Sequence, residues 1–291
     1  MNDYCKADLS HPYLQKIVGE TNFPDPPKEL WIRGKLPEHT GEKDRPKTVA
    51  IVGARRSTGY GEDIAYKLAF DLARCGVVIV SGMAYGIDSC AHRGCLDAGG
   101  ITIAVLGTPI DQIYPRSNIG LAKRILEKGA IISEYEPNFE TRNYCFLQRN
   151  RIVTGLSDAV VVVEASQKSG TKYTALVGDR QNRKVFAVPG DITRPMSAGC
   201  NQLIYDGVCP CLDVLDVMAA ISVYNKGSGN KIAGLDASEK LVVEAIKGGA
   251  NEMLDIIKQT KYSSVELMQI LMELELKSVI KSSGNNRWTL A

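Results

Sequence analysis

The chain has 291 residues, 44% of them hydrophobic, and a formal net charge of +2 at pH 7. That length gives room for one full core and a second, smaller domain, and near-neutrality excludes binding of polyanions through bulk charge, so any anion site must come from local clusters of Lys and Arg. No apolar run of roughly 18 residues marks a membrane span, no charged-then-apolar leader marks secretion, and the eight cysteines are scattered as reduced thiols are. The expectation is a cytoplasmic protein with no membrane partner.

Residues 1–46 are rich in proline and charge, with "ELWIRG" the one piece able to pair as a short strand, and read as an N-terminal arm. Over residues 47–224 short apolar runs ("TVAIVG", "VVIVSG", "ITIAVLG", "AIISEY", "AVVVVEA", "KVFAVPG") alternate with helical segments. Runs apolar throughout are strands covered on both faces, so this region is expected to be α/β, an extended Rossmann-like, doubly wound and mostly parallel sheet. "NKGSGNKIAG", 225–234, reads as a flexible linker. Residues 235–291 read as three helices and a hairpin, a small winged-helix domain, with Leu267, Ile270, Leu271 and Leu274 at helical spacing as its core. This domain carries seven Lys or Arg against eight Asp or Glu, and its recognition-helix candidate "SSVELMQILMEL" holds no cation, which disfavours groove binding of duplex DNA.

The chemistry gathers at the strand-to-helix turns. The first turn carries Gly53, Gly59 and Gly61, which let backbone amides approach an anion, but the spacing is not G-x-G-x-x-G, and Arg55 and Arg56 shift the reading from a dinucleotide to phosphates held by guanidinium forks. The second turn brings Ser81, Gly82, Tyr85 and Gly86; the third, Tyr114, Arg116 and Asn118; a later one, Lys168, Ser169 and Gly170. Cations, donors and aromatic rings on one sheet edge suit a phosphodiester chain with unstacked bases better than one small nucleotide.

The segments "DPPKELWIRG", "VAIVGARRSTGYG", "SGMAYGIDSCAHRG", "TIAVLGTPIDQIYPRSN", "QRNRIVTGLSDAVVVVEASQKSGTKYTA", "VFAVPGDI" and "GCNQLIYDG" occur in this order. Over residues 25 to about 210 the chain thereby resembles the DNA-processing protein A (DprA, or Smf) family. The resemblance implies a single-stranded DNA-binding recombination mediator that protects the strand and loads RecA recombinase during DNA uptake or recombination, acting as a homodimer with no cofactor. Read across, its DNA pocket falls on Arg55, Arg116 and the Lys168–Ser169–Gly170 turn, with Arg149 in the family-typical "QRNR". Tyr85 stands where the family usually has arginine, exchanging a cation for a stacking ring, and Leu147 where proline is usual. The helical N-terminal domain of many members is expected to be absent.

Other classes fare less well. Cys90, His92 and Cys95 lie close together but lack a second ligand pair at structural-zinc spacing, so no metal is expected. No nucleophile with a base partner is legible, and the "PGGxGTxxE" pattern of nucleotide-hydrolysing relatives of the fold is missing, so a binding protein is expected and not an enzyme. The alternatives are a nucleotide-sensing module using the same pocket or a nucleotide-hydrolysing enzyme of the same superfamily.

Overall fold

The computed structural model describes residues 3–18, 25–38, 45–167, 169–221, 235–276, 279–284 and 287–290. They fall into two compact units, Met1–Ile221 and Ser222–Ala291. No described helix is long and apolar enough to cross a membrane. The 225–234 segment, read as a linker, lies outside the described residues.

The larger unit is built on nine strands: β1 (Tyr4–Lys6), β2 (Trp31–Gly34), β3 (Thr48–Val52), β4 (Val78–Ser81), β5 (Thr102–Leu106), β6 (Ala130–Ser133), β7 (Ala159–Val162), β8 (Lys184–Ala187) and β9 (Cys209–Pro210). They form one sheet in the order β1-β2-β6-β5-β4-β3-β7-β8-β9. From β6 to β9 every pairing is parallel, while β1 and β2 close the other edge antiparallel. Strands β3 to β7 are buried at every residue, as apolar runs sandwiched between helices must be. Alternation divides the core: Ile103, Val105 and Ile132 face one helical layer, Ala104, Leu106 and Ile131 the other.

The helices of this unit are α1 (Pro12–Val18), α2 (Gly59–Arg74), α3 (Ile87–Asp97), α4 (Ile119–Leu126), α5 (Asn143–Gln148), α6 (Asn150–Gly155), α7 (Gly170–Arg180), α8 (Ala198–Tyr205) and α9 (Val214–Ala220). Strand order runs outward from β3 through β4, β5 and β6 on one side and through β7, β8 and β9 on the other. The winding therefore reverses between β3 and β7, and in an open sheet the ligand crevice opens beyond the carboxyl ends at that point.

The described residues of 1–46 pack into the larger unit. β1 and β2 extend the sheet, and α1 buries Tyr13, Leu14 and Ile17 in the main core, each 1% exposed or less. An ionic clamp ties the segment down: Asp158 accepts from Lys16 at 2.6 Å, from Arg45 at 2.9 Å and from the Thr48 amide at 2.8 Å. Burial alone would raise the Asp158 pKa, but Lys16 and Arg45 hold its carboxyl well below the usual range.

The smaller unit contains α10 (Ala237–Lys247), α11 (Met253–Thr260), α12 (Ser264–Leu276) and a hairpin of β10 (Ile280–Gly284) and β11 (Arg287–Leu290). Leu267, Leu271 and Leu274 join Val242, Ile256 and Trp288 in its core. α10 starts at a capping box in which Asp236 and Glu239 satisfy each other's amides.

Candidate nucleic-acid interface

The β3–α2 and β4–α3 turns are built against each other. A Cβ at Gly53 would lie 2.5 Å from the Ile87 side chain, and one at Gly86, where φ is +71°, would lie 2.4 Å from the Ala54 carbonyl oxygen. The Ser81 hydroxyl is buried and donates to the Ile51 carbonyl at 2.6 Å. Asn118, also buried, donates to the Met83 carbonyl at 2.8 Å and the Ser89 hydroxyl at 2.9 Å, pinning a turn in which Met83 takes a positive φ of 61°. Gly61 is buried beneath the Glu164 carboxylate, so close that a Cβ would lie 2.3 Å from the carboxyl carbon. Ser81, Gly61, Gly86 and Asn118 thus hold contacts within the protein that shape these turns. Gly59 faces open space at the start of α2.

Between these turns, α5–α6 and the start of α7 lies a cavity of about 280 Å³. Of the residues singled out in the sequence, Gly53, Arg55, Gly82, Arg149, Ser169 and Gly170 line it. Ser169 caps α7, its hydroxyl accepting from the Thr171 amide at 3.1 Å, so the helix begins at the cavity wall. Asn150 reaches across to the Thr174 hydroxyl at 2.9 Å and couples α6 to α7.

Arg149 is 4% exposed, and one guanidinium nitrogen donates to both the Gly82 and Val105 carbonyls while Nε donates to Asn150 Oδ1 at 3.1 Å. Burial pushes its pKa down to about 10 against the pull of Asp88, so it stays cationic at neutral pH. Asp88 is also buried, and burial raises its pKa while Arg149 pulls it down; its carboxylate accepts from the Ala84 amide at 3.2 Å. A Cβ at position 82 would lie 2.5 Å from the guanidinium, so a side chain there would displace Arg149. Arg149 is therefore a cavity wall that ties β4, β5 and α6 together. Arg151 turns away and pairs with Glu134 at 2.6 Å.

The rim is aromatic and basic. The Arg55 guanidinium sits 5.0 Å over the Phe146 ring, whose centroid is 5.5 Å from that of Tyr114. Phe146 packs where only glycine leaves room, a Cβ at Gly107 falling 2.7 Å from its ring. Tyr85 and Tyr114 are each half exposed, and Arg56 and Arg116 are exposed. Tyr114, beside Phe146, and Arg116 lie outside the cavity lining, and Lys168 lies outside the described residues. Phe146 was not singled out from sequence, because a lone Phe in a helical run reads as core.

The Cys90, His92 and Cys95 side chains each hold a contact of their own within the protein. The Thr102 hydroxyl donates to the Ile79 carbonyl at 2.8 Å, so the 2.7 Å contact to His92 is donated by Nδ1–H; Cys90 Sγ accepts from Arg93, and Cys95 Sγ donates to the Ile101 carbonyl. Burial pushes His92 down to about 3. Because this lies below the unfolded value near 6.5, only the unfolded chain takes up the proton. The stability this group contributes is complete above pH ~6.5 and falls by about 1.4 kcal/mol per pH unit on the way down to pH ~3. Urea unfolding of His92→Gln at pH 7, 6 and 5 is expected to show a slope flatter by nearly one proton than that of the wild type.

The open, doubly wound α/β sheet thus carries a crevice lined by Arg55, Phe146 and Arg149 at its switch point, with Tyr114 beside Phe146. The chain belongs to the DNA recombination-mediator protein A family, whose model matches residues 6–222. It is 38% identical to the DNA processing protein DprA of Bacillus subtilis over 183 residues, 63% of this chain and 60% of that protein. The DprA crystal structure from Streptococcus pneumoniae superposes with a TM-score of 0.66 at 32% identity, over 75% of this chain and 74% of that one. DNA processing protein A from Helicobacter pylori, whose structure addresses its single-stranded DNA binding mode, superposes with a TM-score of 0.64 at 32% identity, over 77% and 96%. The chain thus spans about 60% of the length of the Bacillus relative.

Proposed function

We propose that this protein captures single-stranded DNA at the β3/β7 switch point and acts in recombination as a mediator, not as an enzyme. The observation that carries this reading is the rim, where Arg55 lies over Phe146 and Phe146 beside Tyr114. That arrangement offers a cation for phosphate next to rings for unstacked bases, the combination single strands use. Paired bases in a duplex keep their faces stacked and cannot use the rings. Arg56, Arg116 and Tyr85 extend the platform, and Lys168 adds a further cation in the sequence. Family membership and the single-strand binding of the Helicobacter protein support the same substrate.

The finer parts of the reading are delivery of the strand to RecA recombinase, a homodimeric state, a cytoplasmic setting, and a winged-helix fold for residues 235–291 that contacts protein and not duplex DNA. Fluorescence anisotropy with a labelled single-stranded oligonucleotide, beside a duplex of equal length and with AMP as competitor, tests the core of it. Salt-dependent preference for the single strand, undisturbed by AMP, is expected. Equal affinity for duplex, or displacement by AMP, contradicts it and favours the nucleotide-sensing alternative.

A further inference from the structure

In doubly wound folds the helix that follows the first parallel strand presents its amino end to a ligand phosphate, because its first amides lack intrahelical partners and its dipole favours negative charge. Here that helix is α2, and the place is taken. Glu164, 1% exposed and just beyond the end of β7, directs its carboxylate at the start of α2. It accepts from the Thr58 amide at 2.9 Å and from the Thr58 hydroxyl at 2.5 Å. Its backbone carbonyl accepts from the Ala54 amide at 2.9 Å, so one residue holds both ends of the turn that carries Arg55 and Arg56. Gly61 lies against the carboxylate with no room for a side chain.

We infer that Glu164 is a built-in substitute for the phosphate this turn would otherwise bind, and that it is the residue that denies the turn to mononucleotides. The charge, the donors and the fit to Gly61 are those of an anion seat, filled from within the chain. An oligonucleotide must then be bound from the rim side chains and the α7 end of the cavity, where several phosphates and bases contribute together. A mononucleotide, with one phosphate to place, is refused its strongest contact. The inference does not depend on DNA being the ligand and can fail separately from that reading.

The test is chemical rescue without DNA. In Glu164→Ala the Thr58 amide and hydroxyl lose their partner inside a buried hole. Thermal unfolding of wild type and variant is compared in sodium formate and in sodium chloride at equal ionic strength. Formate is expected to raise the variant's Tm by about 5 °C, saturably, and to leave the wild type as it is in chloride. If the alanine variant is unfolded in chloride, recovery of its circular dichroism by formate is the same result. No formate response, or an equal response in both proteins, overturns the inference. So does AMP binding to the wild type with a shift of the Thr58 amide resonance, whereas an unmoved Thr58 amide in AMP agrees with it.

Discussion

Replacing Arg149 by alanine is expected to remove about 3–5 kcal/mol of folding stability, the cost of taking away a buried cation and leaving its buried acceptors unpaired. Three acceptors lose their donor at once: the Gly82 and Val105 carbonyls and Asn150 Oδ1. Asp88 loses the cation that offsets its burial, so its carboxyl shifts further up. Domains hold only about 5–15 kcal/mol in total, so urea unfolding shows the loss directly, with a fall in Tm on the order of 10 °C. Arg149→Lys is expected to rescue little, because an ammonium lacks the planar fork that reaches Gly82, Val105 and Asn150 together. A variant within about 1 kcal/mol of wild type contradicts the bracing role.

The second large effect concerns the ligand. Arg55→Ala combined with Arg116→Ala removes two exposed cations while leaving the core untouched. If each neutralises one phosphate, the dependence of log affinity on log salt flattens by about 1.4, at roughly 0.7 per phosphate for a single strand. Phe146→Ala acts differently. It removes a ring at the centre of the rim, and the loss of base stacking is about 1–3 kcal/mol, or roughly 5- to 150-fold in affinity, with the salt slope unchanged. Phe146→Tyr keeps the ring and is expected to bind nearly as wild type. Anisotropy titrations over a salt series separate the two signatures. If the arginine pair and the ring change affinity in the same way, the rim does not divide its work between phosphate and base.

The sheet was legible because parallel strands covered on both faces are apolar at every position, and "TVAIV", "TIAVL" and "AVVV" are. The glycine turns were legible for a related reason: glycine spacing after a strand marks where backbones come close. Which glycines serve a ligand was not. Gly61 and Gly86 serve contacts within the protein, with Glu164 and Ala54, and such contacts depend on which strands are neighbours in space. One signal was available in "AVVVVEA", since an acid at the end of a fully apolar strand must find donors. α1 was missed because Tyr13, Leu14 and Ile17 cover only one turn of a seven-residue helix, too short to show a period. Asn118 reads as a polar loop residue and is buried, because its amide meets the backbone demands of the Met83 turn.

The bases of a bound single strand are expected to lie on the Tyr85, Tyr114 and Phe146 rings beside the switch-point cavity. The most direct test is photocross-linking with a single-stranded oligonucleotide carrying 5-bromodeoxyuridine, followed by mass-spectrometric mapping of the adducts on the full chain. Adducts confined to these three rings, and weakened in Phe146→Ala, are the predicted result. Adducts concentrated in residues 235–291, or on the far end of the sheet, would contradict the claim.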